Sequence, residues 1–75
     1  MEWLLSDAPV AKWLSIKQIN IQNLELSRRL SEIGFVCEQK IIVLSEPTKQ
    51  SKLIGVRGSV FALDKEVCKM VVVHD

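Results

Sequence analysis

Leu26 to Phe35 reads LSRRLSEIGF, and Val56 to Val73 reads VRGSVFALDKEVCKMVVV; these two stretches decide how the chain folds. In the first, Leu26, Leu30 and Ile33 recur at i, i+4 and i+7 and make one apolar stripe, the mark of an amphipathic helix. Asn23 before it is suited to cap the first turn, and Glu25 sits where the helix dipole favours a carboxylate. Glu25 and Arg29 stand at i, i+4 and can pair. Gly34 fits the left-handed position that ends a helix, and Phe35 then folds back on Leu30. The second stretch reads as a turn at Arg57-Gly58, a strand Ser59–Leu63, a helical turn Lys65–Lys69 capped by Asp64, and a strand Met70–Val73.

Working outward, Ser6-Asp7-Ala8-Pro9 is a turn signal, because Pro fixes its φ and Ser and Asp bond the local backbone. Trp13–Ile19 alternates as a strand. Asn20 to Asn23 is a loop, and Lys40–Leu44, KIIVL, is a buried strand. Glu46 to Ser51 reads as a polar hairpin loop, and Leu53–Val56 as the strand leading into Arg57-Gly58. About five short strands and two small helices predict a mainly β chain, a small barrel or sandwich.

The composition narrows function by exclusion. The chain has 75 residues, which fits a single small domain, and is 48% hydrophobic and 25% charged with a net charge of +1. That balance supports one packed core and argues against disorder. Only Arg28 and Arg29 are adjacent bases, and the aromatics (Trp3, Trp13, Phe35, Phe61) do not interleave with basic residues, so nucleic acid is not an expected partner. Met1 to Trp13 lacks the basic start and long apolar run of a leader, and no segment is apolar enough for a membrane span, so direct membrane insertion is not expected either. Cys37 and Cys68 read as free thiols of a reduced, cytoplasmic protein.

Catalysis finds little support. His74 is the one histidine and there is no tyrosine, so a nucleophile with an oriented base is not expected. No glycine-rich loop cradles phosphate, and neither cysteine lies in a CxxC or CxxH pattern. No enzyme, cofactor or intrachain metal site is expected. Cys68 reads as a small buried hydrophobe and His74 as a solvated tail residue. Trp3, close to the terminus, is the better candidate for an exposed aromatic.

A partner surface is the stronger candidate. With Leu26, Leu30 and Ile33 facing inward, Leu24 and Arg28 point the other way with Ser31 beside them. An outward Leu next to Arg suits an interface, where Arg is enriched. Leu24 has a second reading, packed sideways under the preceding loop. Arg29 borders the stripe and would lie over the core with its head in water. Arg57 in the turn completes the candidate set Leu24, Arg28, Ser31 and Arg57.

The order of these elements resembles the ferrous iron transport protein A family, FeoA, from Leu5 to Val73. The resemblance rests on Leu5-Ser6, on Arg28, Arg29, Leu30 and Gly34, and on Arg57, Gly58, Ala62, Leu63, Asp64 to Glu66 and Val71 to Val73. Cys68 falls where the family usually has Ala. Two departures are the family's Pro-Gly turns, which here read Pro9-Val10 and Cys37-Glu38. The resemblance implies a small SH3-like β-barrel with one or two short helices. It also implies a cytoplasmic accessory role beside FeoB, the membrane transporter of Fe(II), with docking on its cytosolic part. Two alternatives stand beside it. One is a stand-alone regulatory domain that binds Fe(II) or Mn(II) through Cys37, Cys68, His74 and carboxylates. The other is assembly into a homo-oligomer through open strand edges.

Overall fold

The structure, a computed structural model, describes every residue from Met1 to Asp75. Six strands form one antiparallel sheet: β1 (Glu2–Leu4), β2 (Trp13–Ile19), β3 (Lys40–Thr48), β4 (Ser51–Val56), β5 (Ser59–Asp64) and β6 (Val71–His74). Their spatial order is β1-β6-β2-β3-β4-β5, so the first and last halves of the chain interleave. A single 3-10 turn (Leu5–Asp7) follows β1, helix α1 (Leu24–Glu32) lies between β2 and β3, and the short α2 (Lys65–Cys68) lies between β5 and β6.

The sheet curls into a small open barrel around the side to which mostly apolar alternate residues point. Leu14 and Ile16, Ile41 and Val43, Ile54 and Val56, and Val71 and Val73 all point inward and are fully buried. Helix α1 covers one end of this core with Leu30, while Leu26 and Ile33 pack at its margin. Leu5, Ala8, Phe35 and Cys68 complete the buried cluster.

Helix α1 begins and ends as its sequence demands. Asn23 caps it, its side-chain oxygen accepting from the Leu26 N–H at 3.0 Å. At the other end Phe35 N–H donates to Leu30 O at 2.9 Å and Gly34 N–H donates to Ser31 O at 3.1 Å, with Gly34 at φ 103°. This pair of bonds is a Schellman cap, and it delivers Phe35 into the core. The expected Glu25–Arg29 ion pair does not form, and both residues are solvent-exposed.

Other expectations are corrected. Met1 to Leu5 contributes β1, which the sequence left unassigned; its three residues pair with Val72 to His74 at the far end of the chain. Ser6 and Asp7 do lie in a turn, the 3-10 one, as the turn signal there predicts. The hairpin does reverse within Glu46 to Ser51, but its loop is shorter than expected: β3 runs on through Pro47 to Thr48 and only Lys49 and Gln50 turn the chain. Pro47 is tolerated because the register breaks there, between the pairs Ser45–Leu53 and Thr48–Ser51. Asp64 precedes α2 but makes no side-chain cap bond.

The two tryptophans exchange places. Trp3 is half-buried, pairs with Val73 and has the Lys12 ammonium 5.3 Å from its ring centroid. Trp13 is the exposed one, at 61%, because Leu14 and Ile16 take the inward parity of β2. His74 also departs from expectation: it is half-buried in β6, opposite Glu2 and Ser15.

Candidate functional site

The four candidate residues lie on α1 and at the β4–β5 reversal. Leu24, Arg28 and Ser31 fall at i, i+4 and i+7 on the face of α1 opposite the buried stripe. Leu24 is 84% exposed, the most exposed large apolar side chain in the chain, which decides between its two readings. Arg28 is exposed beside it. The Ser31 hydroxyl donates to Arg28 O at 2.8 Å, so it is occupied by its own helix. The stripe runs about 10 Å along the helix, at 1.5 Å per residue.

Arg57 joins this surface from the hairpin. Arg57 and Gly58 have φ of 52° and 80°, the two left-handed residues of a type I′ turn. The turn lays the Arg57 stem across the end of α1, where a Cβ on Gly34 would meet Arg57 Cδ at 2.4 Å. The bare Cα of Gly34 is therefore required twice, by the helix cap and by the approach of the hairpin. A cation here also complements the negative end of the helix dipole. Between the two elements lies a cleft of about 320 Å³ that Ile33 and Glu32 of α1 share with Val56, Arg57, Ser59 and Phe61. The structure thus brings Arg28 and Ser31 into direct contact and sets Arg57 at the end of the same helix, with Leu24 at its start.

The sequence missed two features. Trp13, Ile42, Gly55 and Val60 are cross-strand neighbours on the outer face of the sheet, with Leu44 against Gly55, and Trp13, Leu44 and Val60 are exposed. The period-2 pattern of each strand carried that signal, but the row exists only once the strands are in register. Lys52 is the second. It takes an inward position of β4 with Ile54 and Val56, and it is 1% exposed. Its ammonium lies 2.7 Å from Glu46 Oε1 and has no well-aligned hydrogen bond. The close hydrogen-bonding approach of Lys52, and then its positive charge, hold the Glu46 carboxyl below its usual range.

The set of ligands that a metal-binding reading requires does not assemble. No three of His, Cys, Asp and Glu come together as a group that could hold an ion. Cys37 is exposed and Cys68 buried, and both are free thiols. Burial pushes the Cys68 thiol up, and the charge on Lys52 only partly opposes it. The largest cleft, about 490 Å³, is lined by Lys49, Gln50, Asp64, Lys65, Glu66 and Lys69, with no apolar wall to desolvate a ligand.

With the geometry in place, the comparisons identify the family. Residues 4–75 match the FeoA domain. The chain belongs to the FeoA family. Stenotrophomonas maltophilia FeoA, crystallised with zinc and described as a prokaryotic SH3 domain protein, is 30% identical, with a TM-score of 0.75 over 92% of this chain and 86% of that one. A second FeoA, described as an iron uptake regulatory protein, is 24% identical with a TM-score of 0.83 over 99% of this chain and 96% of that one. A manganese-dependent transcriptional repressor shares the fold at 12% identity and a TM-score of 0.86; this chain corresponds to 41% of its length. No curated protein matches. The fold is the SH3-like one, and membership of the FeoA family supports a role in ferrous iron transport. No helix is long and apolar enough to cross a membrane.

The two places where the resemblance leads one to expect Pro-Gly turns both carry, at or beside them, a left-handed residue that is not glycine. At the second, Glu38 has φ 73°, a left-handed backbone without glycine. At the first, the left-handed residue is Ala11, at φ 64°, one position after Val10.

Proposed function

We propose that this chain works as a single FeoA-like domain, a non-catalytic accessory protein of ferrous iron transport in the cytoplasm. It docks on the cytosolic part of a FeoB-type membrane transporter and modulates it. The docking surface is the outer face of α1, formed by Leu24, Arg28 and Ser31, with Arg57 at its end. The observation that carries this surface is the exposure of Leu24, at 84%, beside an unpaired arginine on a rigidly capped helix. Leaving a large aliphatic side chain in water gives up about 1.5–3 kcal/mol that burial would recover, and a partner can supply that burial. Arg28 next to it gives a planar donor fork for a carboxylate on the partner. The family match over residues 4–75 supports the transport role.

Calorimetric titration of the cytosolic domain of a cognate transporter tests this reading. Leu24→Ser and Arg28→Glu are each expected to weaken binding about tenfold or more, equivalent to about 1.4 kcal/mol. Their thermal stability is expected to stay within about 0.5 kcal/mol of the parent, as for surface changes. Binding unchanged in both variants would remove α1 from the interface.

A further inference from the structure

We propose that β5 is a self-association edge, which pairs antiparallel with β5 of a second copy of this chain across a two-fold axis. The backbone sets this up. The type I′ turn makes Val56–Ser59 the hydrogen-bonded pair that closes the hairpin, and the unbroken register then alternates through Ile54–Phe61 and Lys52–Leu63. Val60, Ala62 and Asp64 therefore direct their N–H and C=O groups away from β4. Strand β5 pairs with β4 alone and lies at the end of the sheet order, and no other backbone hydrogen bond reaches residues 59–63.

The two edges of the sheet are treated differently. Strand β1 has three residues, and Glu2 on it is held by Lys17. Short length and charge are the usual defences of an edge. Strand β5 has six residues, no bulge, no proline and no lysine, and its edge-facing residues Val60 and Ala62 are small and exposed. An edge of this kind is a template for another strand.

The sequence of β5 selects a copy of itself as that strand. Matching Val60 to Ala62 of the second copy, and Ala62 to its Val60, places the axis at Phe61. The two half-buried Phe61 rings then meet across it in a non-hydrogen-bonded pair, the closer kind of pairing. In the same register Asp64 falls opposite Gly58 of the second copy, beside its Arg57. The hairpin is basic at its start and acidic at its end, so antiparallel self-pairing sets opposite charges together at both ends. On the outer face, Val60 carries the apolar row from Trp13 and Ile42 to the junction. The outer stripe Leu24, Arg28 and Ser31 of α1 takes no part, so the dimer would present two such stripes, with Arg57 alone bordering both surfaces.

Sedimentation velocity of the full chain, from micromolar to millimolar concentration, tests the pairing. The parent is expected to pass from monomer to dimer. Ala62→Pro removes an N–H that faces the free edge and no bond to β4, so the monomer keeps its ladder and the dimer loses a central bond. Val60→Lys places a charge on the edge without touching the backbone. Both are expected to weaken dimerisation at least about tenfold with far-UV circular dichroism unchanged; if Ala62→Pro fails to fold, Val60→Lys decides alone. A parent that stays monomeric to millimolar concentration overturns the proposal, even if a strand of another protein binds the edge. So does a dimer that the folded variants leave intact.

Discussion

Gly34 and Gly58 make the same backbone demand and answer to different neighbours. Both have positive φ, 103° and 80°. At Gly34 the space of the missing Cβ is filled by Arg57 Cδ and Cγ and by Val56 Cγ2; at Gly58 nothing lies within 4 Å. The first glycine is a joint between a helix and a hairpin, whereas the second only lets the chain turn. Glu38 is a third case, with φ 73° and no glycine at all. A left-handed backbone alone therefore does not require glycine here; a left-handed backbone with an occupied Cβ position does.

This contrast orders a set of substitutions. Gly34→Val is expected to be the most damaging, at about 3 kcal/mol or more in urea denaturation, because a branched side chain suits neither the positive φ nor the Arg57 stem. Gly34→Ala should cost about 2 kcal/mol, combining the left-handed penalty with the displacement of Arg57. Gly58→Ala carries the conformational term alone and should cost about 1 kcal/mol. Equal losses for these two alanine variants would break the comparison. A double-mutant cycle sharpens it: with Arg57→Ala already made, Gly34→Ala should fall to about 1 kcal/mol, the value expected at Gly58. The smallest effect has the opposite sign. Glu38→Gly relieves a left-handed side chain while loosening the unfolded chain, and should leave stability unchanged or raise it by up to about 1 kcal/mol.

What the sequence revealed follows how local each feature is. The cap at Asn23, the stop at Gly34, the return of Phe35 and the Arg57-Gly58 turn all depend on residues within one or two turns of each other, and all were readable. Strand β2 was readable to both ends because Trp13 to Ile19 is β-rich throughout. Strand β1 was not, because its three residues are held by β6 from the far end of the chain. Pro47 suggested a loop because a bulge leaves no trace in composition. Lys52 was hidden for a related reason: only the inward parity it shares with Ile54 and Val56 shows that it points into the core.

The candidate surface divides in the same way. Helical spacing alone put Leu24, Arg28 and Ser31 on one outer stripe, and the structure keeps them there. The contact of Arg57 with Gly34 joins residues 23 positions apart and could not be read from spacing. The exposure of Trp13 instead of Trp3 likewise depended on which strand covered which face.

The most direct test of the account is an amide NMR titration of the labelled chain with the cytosolic domain of a cognate transporter, with and without Fe(II). Shifts confined to Leu24, Arg28, Ser31 and the adjoining Arg57 turn, present without Fe(II), are the predicted result. No shift with the transporter domain, together with shifts near Cys37, Cys68 or His74 on adding Fe(II) alone, would contradict it.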